Sequence, residues 1–433
     1  MSAGMPSFDI RDGQLPEALR ARLSGEDSAT GDPARVASVR KIVEAVRRRG
    51  DEAVVEYTAR FDKVALTAET LRAPRAQLEA SAQACDPTLR QGLEAMIANV
   101  RAFHALQKPT SYELAGPQGS VMRFEHRPVR VAALYVPGGT AAYPTTVVMN
   151  AVPAQLAGVE RIIVLTPPAT LESNPAIGAT LGLLGLDEVY QVGGAQAIAA
   201  AAYGTASIPR ADVIVGPGNI FVALAKREVY GTVGIDAVAG PSEVLIIADA
   251  TAPARLIAAD LIAQAEHDRL ARCILLTTSA PLIEAVRAEL ASQLTEAGRR
   301  EIAAEALREH GAMALCADLA QMVALSNAFA PEHLQVMVDP DAPLTPSDLV
   351  AGAIFWGPHS PTAFGDYWAG PNHVLPTSGT ARFTGPLSVY TFMRTSSILR
   401  YTADGAREAA PRAAAIADAE QLPGHAAALR LRT

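Results

Sequence analysis

The sequence predicts an α/β protein with two parallel-sheet units of similar topology behind a helical N-terminal segment. Three observations lead there. From residue 129 onward, short β-type runs alternate with helical runs. That alternation occurs twice in succession. Glycine-rich and polar segments fall at the ends of the strands. The composition agrees: 433 residues that are 49% hydrophobic and 19% charged have the balance of a globular chain with sizeable cores.

The elements follow in order. Residues 36–59 (VASVRKIVEAVRRRGDEAVVEYTA) carry apolar side chains at helical spacing, interrupted at Gly50-Asp51. Gly50 can close one helix and Asp51 can cap the next. A third amphipathic stretch covers residues 86–107. The first α/β unit places strands at 129–135 (VRVAALY), 161–166 (RIIVLT), 188–192 (EVYQV) and 212–215 (DVIV). Helices are expected at 145–157, 175–184, 195–203 and 219–230. Such β-α units in series favour a doubly wound parallel sheet. The second unit places strands at 244–248, 273–277, 313–316, 334–338 and 353–356. After Pro386 a strand-like piece precedes an Ala-rich helical tail over 403–432. Two such units imply a cleft, with ligands outside the carboxyl ends of the strands. Segments 135–139 (YVPGG), 193–196 (GGAQ), 216–219 (GPGN) and 239–243 (AGPSE) are expected at those ends.

Charge and cysteine usage exclude several functions. The chain has 37 Lys+Arg against 45 Asp+Glu, a formal charge of -8, and no Lys/Arg run. A nucleic-acid or anionic-membrane partner needs a concentrated positive face and is disfavoured. The three cysteines form no Cys-x-x-Cys pair, which disfavours structural disulfides and a thiolate zinc site. Residues 1–14 lack a basic-then-apolar leader pattern, and no apolar run reaches the ~18 residues of a membrane span. A soluble cytoplasmic protein is expected. Any transition-metal site must draw on eight histidines: His104, His126, His267, His310, His333, His359, His373 and His425.

Five segments could carry chemistry. Gly216-Pro-Gly-Asn219 follows a strand and opens a helix, so its N–H groups could face an anion. Phe221 stands where GxGxxG would have its third glycine, and a plain tight turn explains the segment equally well. Gln264 and His267 are three apart on a helical stretch and can share a face, although a solvated polar face is the plainer local reading. Glu332-His333 can divide acid–base labour: His titrates near neutrality, and burial can raise Glu to take a proton from water. One of them exposed and one capping is an equal alternative. Residues 365–373 (GDYWAGPNH) read as a sharply bent loop that presents the Asp366 carboxylate between Gly365 and Gly370. Glu420 and His425 sit in the apolar tail, where local reasoning assigns them no role.

Taken in order, these segments resemble the histidinol dehydrogenase family. The likeness also includes residues 50–63 (GDEAVVEYTARFDK), 236–243 (DAVAGPSE) and 330–335 (APEHLQ), and it spans most of the chain. Only residues 388–394 (SVYTFMR) depart from it, lacking an acidic residue, and no role attaches to them. The resemblance implies an NAD-linked, zinc-dependent enzyme that oxidises L-histidinol through L-histidinal to L-histidine with two NAD. It implies metal ligands at Gln264, His267, Asp366 and His425, a donor set that suits zinc and can accept manganese. It also implies Glu332 and His333 as the acid–base pair. Ser242, His333, Glu420 and the metal ligands would line the substrate, and Tyr135, Gln196 and Asn219 would contact NAD. The tail would reach the partner subunit, making a homodimer with shared active sites. The implied layout is two Rossmann-like domains. Residues 1–30 would form an arm, 31–134 with 240–385 a substrate and metal side, 135–239 the NAD side, and 386–433 a dimerisation tail.

Two other readings share parts of this pattern. A paralogous zinc dehydrogenase could act on another small alcohol, such as a sulfonated diol. A substrate without imidazole does not need the Glu420/His425 pair, and this chain has both. A two-lobed binding protein gives no reason for Glu332-His333, Gln264, His267 and Asp366 to coexist.

Overall fold

The computed structural model describes residues 4–24, 31–138 and 143–432, so the last residue of segment 135–139 lies outside the described residues. Among the described residues fourteen strands are formed: β1 (Ser7–Asp9), β2 (Tyr112–Ala115), β3 (Val121–Pro128), β4 (Val131–Tyr135), β5 (Arg161–Thr166), β6 (Val189–Gln191), β7 (Val213–Val215), β8 (Gly234–Ile235), β9 (Glu243–Ala248), β10 (Arg272–Thr277), β11 (Ala312–Leu315), β12 (His333–Met337), β13 (Ala353–Trp356) and β14 (Met393–Arg400).

They make two parallel sheets and one antiparallel sheet. The five-stranded sheet runs β6-β5-β4-β7-β8. The six-stranded sheet runs β1-β11-β10-β9-β12-β13. Counted from β4 and from β9, both have the order 3-2-1-4-5, with β1 added to an edge of the second. The antiparallel sheet is β14-β3-β2, which joins the strand after Pro386 to residues 112–128. β1, β2, β3 and β8 escape the sequence pattern because they are short or mostly exposed, so no apolar run marks them.

The N-terminal helices pack differently from the expected division. Helix Pro33–Arg49 buries Val39, Ile42, Val43 and Val46 against the alanines of helix Gly194–Tyr203, which covers Ala133, Ile163 and Ile214 of the five-stranded sheet. Each such side chain, fully buried, contributes roughly 1.5–3 kcal/mol. Helices Arg75–Gln83 and Pro87–Ala105 pack on helices Pro144–Ala157 and Pro175–Leu183 of the same lobe, and their Leu78, Met96 and Val100 join the core on the other face of that sheet. Residues 33–105 therefore join the five-stranded sheet, not residues 240–385. The expected arm is also tied down: β1 pairs with β11, and Ile10 and Leu19 are buried in the six-stranded lobe.

Gly50 closes the first helix at φ 58°, its N–H donating to Val46 O at 2.8 Å. Asp51 does not cap the next helix. Its carboxylate accepts from the backbone N–H and the hydroxyl of Ser207, at 3.0 and 2.8 Å, and ties the helix to the loop after Gly204. The tail is two helices, Ala403–Ala419 and Pro423–Arg430, broken where Gln421 adopts φ 58°. Among the described residues no helix is long and apolar enough to cross a membrane.

Candidate active site

A cavity of about 1440 Å³ lies between the two parallel-sheet lobes. From the five-stranded lobe it is lined by Tyr135, Gly194, Gln196, Gly216 and Asn219. From the other side come Ser242, His267, Glu332, His333 and Asp366. Eight of the eleven expected site residues thus meet in one space, although they lie as much as 231 positions apart (366 − 135).

The five-stranded lobe supplies the carboxyl ends of its strands. Tyr135 ends β4, and its buried hydroxyl oxygen accepts the Gly194 N–H at 3.0 Å. Burial pushes the Tyr135 pKa up to about 12, so it stays a neutral hydroxyl. Gln196 is in the first turn of helix Gly194–Tyr203 and is 1% exposed, with its Oε1 unpartnered among the described residues. Asn219 caps helix Ile220–Val229, accepting from the N–H groups of Phe221 and Val222 at 3.0 and 3.2 Å. Between β7 and this cap, Gly216 has φ 108°, and a Cβ there would stand 2.2 Å from Tyr135 O. Only glycine permits that approach. A buried pair not singled out from the sequence holds the turn. Lys226 Nζ donates to Asp236 Oδ1 at 2.6 Å and to Gly216 O at 2.5 Å, while Asp236 Oδ2 accepts the Gly216 N–H at 2.7 Å.

The six-stranded lobe supplies its amino ends, contrary to the expectation for AGPSE. Ser242 immediately precedes β9 and His333 begins β12, in register with Val244. The Ser242 hydroxyl donates to Glu332 Oε2 at 2.6 Å, and the Glu243 N–H donates to the same oxygen at 2.9 Å. His333 Nδ1 lies 2.9 Å from Glu243 O and 3.5 Å from Glu332 Oε2. Burial works to raise Glu332, yet the neighbouring imidazole and these donors hold its pKa below the usual carboxylate range. The carboxyl that burial does raise is Glu243, pushed up to about 7 beside the Glu332 charge, with Arg272 opposing. Burial pulls His333 down, but the Glu332 carboxylate dominates and sets its pKa at about 9.

Helix Ala254–Ala265 ends before His267, so Gln264 and His267 are not on one α-helical face. A turn carries the chain on, with the His267 N–H donating to Gln264 O at 3.3 Å. Gln264 is buried behind the wall, and its amide nitrogen donates to the Ser242 hydroxyl, which leaves its Oε1 as the acceptor. Asp366 sits on a short helix, Thr362–Tyr367, entered from an extended Pro361, rather than in a bent loop. His373 Nδ1 lies 3.6 Å from Asp366 Oδ1. Burial lowers the His373 pKa, so beside Asp366 it is a neutral imidazole.

Glu420 and His425 are exposed on the tail and do not line the cavity of their own chain. The tail helices pack on each other through Ala414, Ala417 and Ala426. Among the described residues no three His, Cys, Asp or Glu side chains converge as a metal site.

Comparison with known proteins agrees along the whole chain. A family model described as histidinol dehydrogenase matches residues 27–433. Histidinol dehydrogenase from a Synechococcus strain is 51% identical over 399 residues, 92% of each chain. That from Listeria innocua is 44% identical over 416 residues, 96% of this chain and 97% of the relative. A crystal structure of histidinol dehydrogenase from Elizabethkingia anophelis superposes with a TM-score of 0.90 at 34% identity, covering 99% of this chain and 98% of that one. Sequence, fold and cavity thus lead to one conclusion: the chain is an oxidoreductase that belongs to the histidinol dehydrogenase family.

Proposed function

We propose that this protein oxidises L-histidinol through L-histidinal to L-histidine, reducing two NAD to two NADH and requiring zinc. The observation that carries the reading is the meeting of Glu332, His333, His267, Asp366 and Ser242 with Tyr135, Gln196 and Asn219 around one cavity. The donor chemistry fits a zinc ion. Gln264 Oε1, left free by the amide's bond to Ser242, with the His267 imidazole and the Asp366 carboxylate would offer a nitrogen and two oxygens, one donor short of a set of four within a single chain. His425 of a second subunit would complete the set and Glu420 would accompany it, so the unit is a homodimer with the tail as its dimerisation element. The two lobes then act as Rossmann-like domains, one for cofactor and one for substrate and metal. When bound, zinc supplies a Lewis acid that grips the substrate nitrogens, and NAD supplies the hydride acceptor.

This chain's own residues do the rest. His333 accepts the alcohol proton as the hydride departs, leaving the aldehyde. Once His333 has passed that proton to solvent, Glu332 takes a proton from a water that adds to the aldehyde carbon, and His333 accepts the hydrate's hydroxyl proton as the second hydride departs. Ser242 and the Glu243 N–H orient Glu332. Tyr135, Gln196 and Asn219 form the NAD wall at helix N-termini, where N–H groups favour the pyrophosphate.

The test is NADH formation from L-histidinol before and after chelation, followed by zinc add-back. Activity lost on chelation and restored by zinc supports the reading. Undiminished NADH formation in metal-free protein would sink the zinc part, and no NADH from histidinol with full metal loading would sink the whole.

A further inference from the structure

One buried carboxyl beside the acid–base pair has no part in the mechanism above. Glu243 begins β9, and its side chain is fully buried. Neither it nor Arg272, its register partner on β10, lines the cavity. Their side chains meet behind the wall, with Arg272 Nη1 3.4 Å from Glu243 Oε1. The Ser378 N–H donates to Glu243 Oε2 at 3.3 Å, and the Glu332 N–H also favours the charged form of this carboxyl. The side chain thus ties together the starts of β10 and β12 and the segment after Thr377.

The peptide groups of the same residue hold both members of the acid–base pair. The Glu243 N–H donates to Glu332 Oε2 at 2.9 Å, and Glu243 O lies 2.9 Å from His333 Nδ1. A carbonyl oxygen only accepts, so neutral His333 carries its proton on Nδ1 and leaves Nε2 free to take the substrate proton. Any shift of Glu243 therefore moves the carboxylate and the imidazole together. The charged groups around this cluster are Arg272 on β10, Glu332 and His333 on β12, and Asp366 on helix Thr362–Tyr367, which faces His333. Burial holds His373 below its ordinary pKa, and burial with the Arg272 charge does the same to His310, so both are neutral.

Resting on the acid–base reading above, we infer that Glu243, clamped by Arg272, is a positioning residue for the reaction: it holds the Glu332 carboxylate and the His333 tautomer in place and adds its own charge to the field around them.

The pH profile of kcat/KM for L-histidinol tests this on the zinc-loaded enzyme at saturating NAD. Glu243→Gln keeps the shape of the side chain, but its amide must turn a donor toward Arg272 or toward the Ser378 N–H. Turnover falls about 10-fold or more as the pair loses its placement. The acid limb moves to lower pH by roughly 0.5–1 unit, because a negative charge near His333 is gone. Glu243→Asp keeps the charge and shortens the reach, so turnover falls while the limb stays where the wild type has it. Zinc content and the NAD dissociation constant stay within about 2-fold in both. Combining Glu243→Gln with Arg272→Met leaves neither charge buried alone, and it too lowers turnover with NAD affinity retained. Wild-type turnover in a folded Glu243→Gln protein, or in the double variant, overturns the inference. So does an equal loss of turnover in Glu243→Gln and Glu243→Asp with the limb fixed in both, which is what a merely structural residue would give. Undiminished turnover in Glu332→Gln would instead overturn the acid–base reading, and that variant alone detects it.

Discussion

The two parallel sheets have the same strand order and meet the same cavity, yet they present opposite ends to it. The five-stranded sheet offers carboxyl ends: Tyr135 after β4, Gly194 after β6 and Gly216 after β7. The six-stranded sheet offers amino ends: Ser242 before β9, Gln264 and His267 before β10, Glu332 and His333 at β12. At a carboxyl end the following helix points its N-terminus at the ligand, with free N–H groups and a partial positive charge. At an amino end the preceding helix points its C-terminus, with free carbonyls and a partial negative charge. One topology used from opposite ends thus makes an anion-favouring wall and a cation-favouring wall. A dinucleotide suits the first, and a metal ion with a substrate amine suits the second.

This division can be broken in four ways, taken from the largest effect downward. His425→Ala should remove bound zinc and lower turnover by about 1000-fold or more, while leaving the NAD dissociation constant within about 2-fold. Mixing these subunits with Glu332→Gln subunits should restore part of the activity in confirmed heterodimers. Retained stoichiometric zinc with full activity, or no recovery on mixing, would contradict a shared cation wall. Glu332→Gln should slow oxidation of L-histidinal about 100-fold or more, and reduction of the aldehyde less. Equal losses in both half-reactions would deny Glu332 its separate task.

Gly216→Ala probes the other wall. The added Cβ must displace the Tyr135 carbonyl, so KM for NAD should rise about 10-fold and stability should fall by about 1–3 kcal/mol in thermal unfolding. Histidinol affinity, read by calorimetry, should not move, and an equal loss there would show that the walls are not independent. The smallest effect is on pH. His333 must be neutral to accept a proton and is protonated below its pKa of about 9, so kcat/KM should fall as pH drops below that value. Glu332→Gln removes the carboxylate that raises His333, so the acid limb should move to lower pH. A limb that stays in place would mean another group titrates.

Much of the site was legible because its residue types are unusual for their settings. Adjacent Glu332-His333 and the polar run 365–373 stand out in an apolar, Ala-rich chain. Other parts were hidden for definable reasons. Asp366 was read on a loop because bracketing glycines outweigh a six-residue helix in any local window. Glu243 and the Lys226–Asp236 pair look like ordinary charged residues until burial gives them partners. Helices 33–61 were assigned to the wrong sheet because an apolar stripe records that a helix is covered, not what covers it.

The sequence by itself determined the two α/β units, most strand positions, the family, and the residue types able to carry acid–base and metal chemistry. Those follow from local periodicity and from ordered motifs, which survive without knowledge of contacts. Only the tertiary structure decided which end of each sheet faces the cavity, which carboxyl is raised by burial, and that the tail residues stand away from their own chain's cavity. Those depend on through-space desolvation and charge between segments distant in the chain, where Glu332 becomes a neighbour of Ser242 and Glu243 only once β9 and β12 pair.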